Sequence, residues 1–388
     1  MRALLLSWRY ICAHRAKSGI LLVCLTITIF LPLAVHVMIG HYEQELMARA
    51  RSTPLVVGAK GNRYDLVLKS LYFTAENPEP ISMRVVESIR DTGWAGVLPL
   101  HVVYTARGYP IVGTVLEYFS FRGLQTAEGT LPLRIGDAVL GAEVARELGL
   151  KPQDRIITDQ TSLYDLAAVY PLKMRVAGVL APAGSADDHA VFVDVRTAWI
   201  IEGIGHGHID LASTEDASLI LDADDQAIIG SPAVTAYTEI TPSDMASFHF
   251  HGDPSQYPLT SAIVLPKNPK SATLLKGRFS VTREERLRVP VDVVSEIMRL
   301  VVRIRRFFDA AFVVICCVTG LFLVLVVLLS LRLRKREMET MFKMGCSRST
   351  VVRLLVCELG ILTAVSVVLA GVLLLGLLLS APSVVRLM

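Results

Sequence analysis

The residues best suited to do chemistry in this chain are paired histidines. They are His206-Gly207-His208 with Asp210, and His249-Phe250-His251 with Asp253. Alternate side chains of a strand share a face, so His249 and His251 would point the same way, and both imidazoles could reach one Zn²⁺ beside Asp253. His206 and His208 form the companion pair, and His189 follows the acidic Asp187-Asp188. The plainer alternative is polar loop histidines next to glycines, since no thiolate or third spaced histidine completes a ligand set. Other chemistry is missing. No G-x-x-x-x-G-K-[ST] sequence is present to cradle phosphates, and Gly58-Ala59-Lys60-Gly61 is too short for one and reads as a turn. G-x-S-x-G, H-E-x-x-H and C-x-x-C are absent as well, so the expectation is a non-catalytic chain with no cofactor beyond a possible zinc ion.

The elements that must position these residues are set by hydropathy. Three uncharged runs, Ile20 to Ile39, Ala310 to Leu331 and Leu359 to Val385, each match the 20 or so apolar residues a membrane helix needs. A large, mostly polar block separates the first two. The chain has 388 residues, 52% of them hydrophobic, a mean hydropathy of +0.49 and 19% charged residues, with the charge gathered in that block. A net charge of +3 is too small to suggest a nucleic-acid partner. Locally the charge is informative. Arg2, Arg9, Arg15 and Lys17 precede the first run, and Arg332, Arg334, Lys335, Arg336, Lys343, Arg348 and Arg353 follow the second. Short basic segments beside apolar runs stay in the cytoplasm, which puts the polar block outside. Arg299, Arg303, Arg305 and Arg306 oppose this, but a large domain translocates despite such charges. All six cysteines lie in membrane or cytoplasmic segments, as suits an exported block without disulfides. The first run exceeds the length of a signal-peptide core and lacks a small-x-small cleavage site, so it reads as an uncleaved anchor. Residues 3–16 mix aromatic, apolar and basic side chains, and read either as an interfacial helix or as a basic flank.

The expected fold class is an α+β membrane protein. Three transmembrane helices carry a large extracytoplasmic mixed α/β domain inserted between helices 1 and 2. The organisation follows: residues 1–41 for the interfacial segment and first helix, 42–290 for the external domain, 291–331 for a stalk and second helix, 332–358 for a cytoplasmic segment, and 359–388 for the third helix and tail. Within the domain, strands are expected at Pro54 to Val57, Asp154 to Thr158, Met174 to Leu180, Val191 to Val195, Ser218 to Leu221 and Ser261 to Leu265. Val97 to Val103 and Ile111 to Leu116 read as a strand pair around the Arg107-Gly108 turn. Ser82 caps a helix through Ile89, and a second helix follows Val191 to Val195 at 196–202. Val139 to Leu150 reads as a strand, a turn and a helix stopped by Gly149. On Val191 to Val195, the valines would take one face and Phe192 with Asp194 the other. Residues 117–212 are expected as an insert in a second unit. From Val291 onward Ile297, Leu300, Val301, Ile304 and Phe308 make one helical face and Arg299, Arg303 and Arg306 another, so a stalk helix should run unbroken into the second span.

The cytoplasmic loop holds the most specific pattern. Arg336-Glu337-Met338-Glu339-Thr340-Met341-Phe342-Lys343-Met344-Gly345-Cys346-Ser347-Arg348 is a short helix with an apolar face, broken at Gly345, followed by a serine able to cap the next helix. This resembles the coupling segment of the FtsX and MacB superfamily of ABC transporter permeases, R-E-I-x-x-L-R-A-L-G-A-S-R. Arg336, Glu337, Met341, Lys343, Gly345, Ser347 and Arg348 fit that run. Pro54 to Gly61, the V-x-G-x-x-x-A-x-x-L-G-L unit at Val139 to Leu150, and Gly184 to Val193 are also similar to segments of the family. Family members commonly have four membrane helices, where this chain has three apolar runs. The resemblance implies a bacterial inner-membrane, multi-pass subunit with a cytoplasmic N-terminus and a periplasmic domain. It further implies docking of this helix in a groove of a separate ABC ATPase that uses ATP, with Met341 and Phe342 as apolar anchors and Met338 on the same face. Three spans per chain make a lone monomer a poor machine, so a homodimer is expected, with a periplasmic adaptor or substrate-binding protein as external partner. The spans hold almost no ionisable residue, so a polar path through them is poorly supported and the expected output is movement of the external domain. Two other readings stand beside this one: a non-transporting regulator of an envelope enzyme, and a membrane-anchored zinc-binding or sensing protein.

Overall fold

Strand β1 (Leu55–Ala59) shows how the domain is built: it buries every residue from Leu55 to Gly58. A strand buried on both faces needs cover on both, and β1 has it. Leu55 and Val57 pack with helices α4 (Met83–Arg90) and α8 (Pro269–Val281). Gly58 instead faces Leu66 of α3 (Arg63–Tyr72), where a Cβ would come within 2.2 Å of the leucine Cδ1. The computed structural model describes residues 2–74, 76–132, 134–159, 171–207, 220–224, 227–230, 238–241, 248–333, 339–340, 343 and 347–384. They form two units, Met47–Ser295 and Met1–Leu46 with Glu296–Met388.

The domain unit holds two main sheets. The first is antiparallel, in the order β18 (Glu285–Arg288), β1, β17 (Ser261–Pro266), β3 (Ala95–Leu100). The pair β2 (Ile81–Ser82) and β16 (Pro258–Leu259) sits apart from it, and Ser82 stands at the N-cap position of α4, although its side chain makes no capping hydrogen bond. The second sheet runs β14 (Thr238–Glu239), β9 (Leu172–Leu180), β7 (Asp137–Leu140), β10 (Val191–Asp194), β5 (Tyr109–Thr114), β4 (Thr105–Ala106). Strands β6 (Thr126–Gly129) and β8 (Arg155–Ile157) also pair with β9. This sheet therefore takes in β4 and β5 from before residue 117 and β14 from beyond residue 212. Short helices follow its strands: α5 (Glu117–Arg122), α6 (Ala142–Leu148) and α7 (Val195–Ile201). Gly149 ends α6 at φ +65°, the left-handed stop read from the sequence. Ribbons β11 (Gly205–Gly207) with β15 (Phe248–Phe250), and β12 (Ile220–Asp224) with β13 (Ala227–Gly230), are the other strands among the described residues.

Two local expectations change. Val97 to Val103 and Ile111 to Leu116 do not form a hairpin. β3 gives its whole length to β17, and the turn at Arg107-Gly108 joins β5 only to the two-residue β4. The two sheets meet instead at one bridge, His101 with Gly113, through hydrogen bonds of 2.9 and 2.8 Å. Strand β10 also differs from a one-sided strand. It lies between β7 and β5, so Val191, Phe192 and Val193 are all buried. Helix α7 unites the cores: Val195 and Trp199, four residues apart, join the first, while Ala198, Ile200 and Ile201 join the second.

In the other unit, α1 (Arg2–Ala13) precedes α2 (Arg15–Ser52), and α9 (Pro290–Leu333) is a single helix of 44 residues. The last helix is α10 (Arg348–Val384). Among the described residues, two helical stretches are long and apolar enough to cross a membrane, α2 and residues 352–378. The stretch at 3–16 is helical except for a turn at His14, and Ser7 Oγ donates to the Leu354 carbonyl of α10 at 3.1 Å. Thr28 lies 3.4 Å from Thr319 of α9, and Ser366 of α10 donates to the Leu22 carbonyl at 3.3 Å. Lys17 pairs with the buried Glu358 at 3.6 Å.

Candidate coupling site

Two places hold the sequence-predicted site residues, and a third site lies elsewhere in the domain. Of the coupling segment, Arg336, Glu337, Met338, Met341, Phe342 and Gly345 lie outside the described residues. Lys343 is helical, and Ser347 directly precedes Arg348, the first residue of α10. Ser347 Oγ lies 2.8 Å from Ser349 Oγ.

His206 and His249 fall on one ribbon, and His251 directly follows its second strand. His206 of β11 is the register partner of His249 of β15, and the His249 and His251 rings meet edge to face at 4.6 Å between centroids. His208 and Asp210 lie outside the described residues. Asp253 is engaged elsewhere: it caps the 3-10 turn Pro254–Gln256, accepting from Ser255 N at 2.9 Å and Ser255 Oγ at 2.7 Å. Among the described residues, no three His, Cys, Asp or Glu side chains are placed to hold one metal ion.

The third place was not singled out from the sequence. Arg49 lies in the last turn of α2, three residues before Ser52 ends the helix, and its side chain is only 8% exposed. Its Nη1 and Nη2 donate to the two oxygens of Asp187, at 2.5 and 2.9 Å. Nη2 also donates to the Tyr118 hydroxyl at 3.0 Å, and Nε donates to the Leu71 carbonyl. The Tyr118 hydroxyl donates to Asp187 Oδ1 at 2.8 Å, and Ser185 Oγ lies 3.0 Å from Oδ2. This is the two-pronged guanidinium–carboxylate geometry, with nearly every donor and acceptor used. Aromatic rings wall it in. Arg49 lies 5.5 Å from the Phe73 ring centroid, and Phe192 contacts Phe73, Tyr118 and Phe119 edge-on or tilted at 6.1, 5.8 and 5.4 Å. In so dry a place, burial alone would raise the Asp187 carboxyl. The Arg49 charge and the hydrogen bonds from Arg49 and Tyr118 outweigh it and hold the group below its ordinary value. Burial, reinforced by the Asp187 charge, pushes the Tyr118 hydroxyl up, so it stays protonated and donates.

The local sequence explains how Asp187 arrives there. Ser185 caps a 3-10 turn, Ala186–His189, and Asp188 accepts from the backbone N–H groups of Ala183 and Gly184 at 2.8 and 2.7 Å. Gly141 packs against that turn so closely that a Cβ would come within 2.4 Å of the Asp187 carbonyl oxygen and 2.3 Å of that of Asp188. The glycine of the V-x-G unit and the Gly184 to Val193 segment thus meet at one spot. In the sequence, Arg49 reads as an ordinary helix-end cation favoured by the dipole, which is why it escaped notice.

A family model described as MacB-like periplasmic core domain matches residues 32–229, just over half of the chain. The chain belongs to this family. The match puts it in the MacB/FtsX-like superfamily of ABC permeases, and its external block is the MacB-like periplasmic core. Arg49, Tyr118, Asp187 and His206 lie within the matched span; His249, His251 and the coupling segment lie beyond it. Two solved structures are similar to it. The periplasmic region of MacB from Actinobacillus actinomycetemcomitans is 11% identical, with a TM-score of 0.36, covering 66% of this chain and 98% of that one. The extracellular domain of the noncanonic ABC-type transporter YknZ from Gram-positive bacteria is 8% identical, with a TM-score of 0.33, covering 60% and 98%. A search of curated proteins gives no match.

Proposed function

We propose that this chain is a permease subunit that turns ATP hydrolysis by a separate cytoplasmic ATPase into movement of its periplasmic core, for export or extraction of an envelope substrate. The observation that supports it most is how the core is spliced into the chain. Helix α2 ends at Ser52, just before β1 begins at Leu55, and α9 starts at Pro290, just after β18 ends at Arg288. Short, hydrogen-bonded connections pass on helix displacement, where long flexible linkers would absorb it. In this reading α2, α9 and α10 are three spans, the subunit works as a homodimer in the inner membrane, and the segment from Arg336 to Arg348 docks on the ATPase. Met338, Met341 and Phe342 are its apolar anchors, and a periplasmic adaptor or substrate-binding protein is the external partner. The test is ATPase stimulation in lipid. Phe342→Asp should abolish stimulation while the protein stays folded, and unchanged stimulation would exclude docking at this segment. If the ATPase drives domain movement but no substrate moves, the subunit is a regulator of an envelope enzyme.

A second, compatible reading is Zn²⁺ binding by His249 and His251, whose rings meet at 4.6 Å between centroids, with His206 and His208 as candidates to complete the set when metal is present. Imidazoles suit zinc, and three nitrogen ligands are a common protein set for it. Zinc titration of the full chain, compared with the His249→Ala/His251→Ala double variant, decides this. Equal uptake by both, or none by either at low-micromolar zinc, ends the reading.

A further inference from the structure

We infer that Arg49, gripping the buried carboxylate of Asp187, is the positioning residue that makes the end of α2 move as one body with the MacB-like core. The inference rests on the mechanical reading above for its purpose, though not for its geometry.

The end of α2 has little else to hold it. Of the residues from Met47 to Ser52, only Arg49 and Ala50 are buried. A single buried methyl group gives adhesion but no fixed direction, because apolar burial is non-directional. The guanidinium supplies direction. Its donors reach three separate pieces of the domain: the Leu71 carbonyl on α3, the Tyr118 hydroxyl on α5 and the Asp187 carboxylate on the 3-10 turn. Anchoring to three pieces that share no element fixes the guanidinium plane, and through it opposes rotation of the helix end about its axis. Arg122 adds a strut, donating from Nη1 to Ser52 Oγ at 3.2 Å, and Thr53 Oγ1 ties back to the Arg49 carbonyl at 2.9 Å.

A buried ion pair is weak evidence for stability, since apolar residues of similar volume often do as well. Three desolvated polar groups gathered at the end of a helix therefore need another reason. Orientation is one that apolar packing cannot supply, and it depends on the planar fork of arginine, which lysine lacks.

Amide exchange of the full chain in lipid nanodiscs tests the grip without any ATPase. In Arg49→Lys, which keeps the charge, exchange at residues 47–53 should accelerate about ten-fold or more, while strands β1, β10 and β17 stay near wild type. Tyr118→Phe, which loses only a hydroxyl, should show the same local pattern more weakly and covers the case in which Arg49→Lys fails to fold. Unchanged exchange at 47–53, or an equal rise throughout the domain, would overturn the inference. A second arm reads purpose, using the chain with its ATPase and a spin label at exposed Thr273. If the wild type shows no ATP-driven displacement, the mechanical reading fails while the grip stands or falls on exchange alone. If the wild type moves, Arg49→Lys should hydrolyse ATP at the normal rate with the displacement lost. Normal displacement in that variant would overturn the inference.

Discussion

Replacing Gly141 by alanine should damage this domain even though its backbone welcomes alanine. Gly141 sits at φ −61° and ψ 154° as the N-cap of α6, a conformation open to any residue. Chain entropy alone would favour alanine by about 0.4–1 kcal/mol. The contact decides the sign. The added Cβ would lie 2.3 Å from the Asp188 carbonyl oxygen and 2.4 Å from that of Asp187, so about 1 Å of backbone displacement is needed to reach ordinary contact. That backbone has little room to yield. Gly141 N donates to the Ala190 carbonyl at 2.9 Å, the Asp188 carboxylate caps Ala183 and Gly184, and Asp187 is held by Arg49. Overpacking against fixed backbone costs about 1–3 kcal/mol, and a disturbed charge-assisted hydrogen bond adds about 1.5 kcal/mol or more. After the entropy gain, a net loss of about 2–4 kcal/mol follows. For a unit of this size, each kcal/mol lowers Tm by about 2–4 °C, giving a drop of about 5–15 °C. Thermal unfolding followed by tryptophan fluorescence reads it, with Trp94 and Trp199 in the domain. Gly149→Ala is the control: φ is +65° with nothing within 4 Å, so only backbone strain of about 1–2 kcal/mol applies. A Gly141→Ala protein within about 0.5 kcal/mol of wild type, or one less affected than Gly149→Ala, would refute the reasoning.

Other expectations are simpler. The Asp187 carboxyl titrates below its ordinary value when folded, so its contribution is complete above the usual carboxylate range and is lost as pH falls through the folded value. Urea midpoints should therefore fall more steeply below about pH 4 in the wild type than in Asp187→Asn, and parallel acid limbs would contradict the pairing. Trp199→Phe removes the indole donation to the Pro258 carbonyl at 2.8 Å and part of the contact with Tyr257. It should cost about 1–3 kcal/mol, readable from the same urea titrations.

Much of this protein could be read from residue order. Apolar runs lacking charge can only be satisfied as helices in lipid or in a core, so α2, α9 and α10 were legible at once. Gly149 marked the end of α6, because only a residue tolerating positive φ stops a helix that way. Family motifs were legible because they are local. Sheet partnership was not: β3 and β5 look like a hairpin across Arg107-Gly108, yet a six-residue ladder with β17 outcompeted that short local turn. Nor could β10 be read as buried on both sides, since that depends on neighbours distant in the chain.

The candidate site divides along the same line. The proposed coupling segment at Arg336 to Arg348 and the histidine pairs are patterns within a few residues, so they are read from the sequence alone. The cross-strand partnership of His206 with His249 required the ribbon to form. The grip on α2 belongs entirely to tertiary structure. Arg49, Leu71, Tyr118 and Asp187 lie far apart in the chain, and no local pattern distinguishes this arginine from Arg51 beside it. A charged group acquires such a role only when folding removes water from around it and offers a carboxylate in exchange. Burial of that kind is a property of the assembled domain.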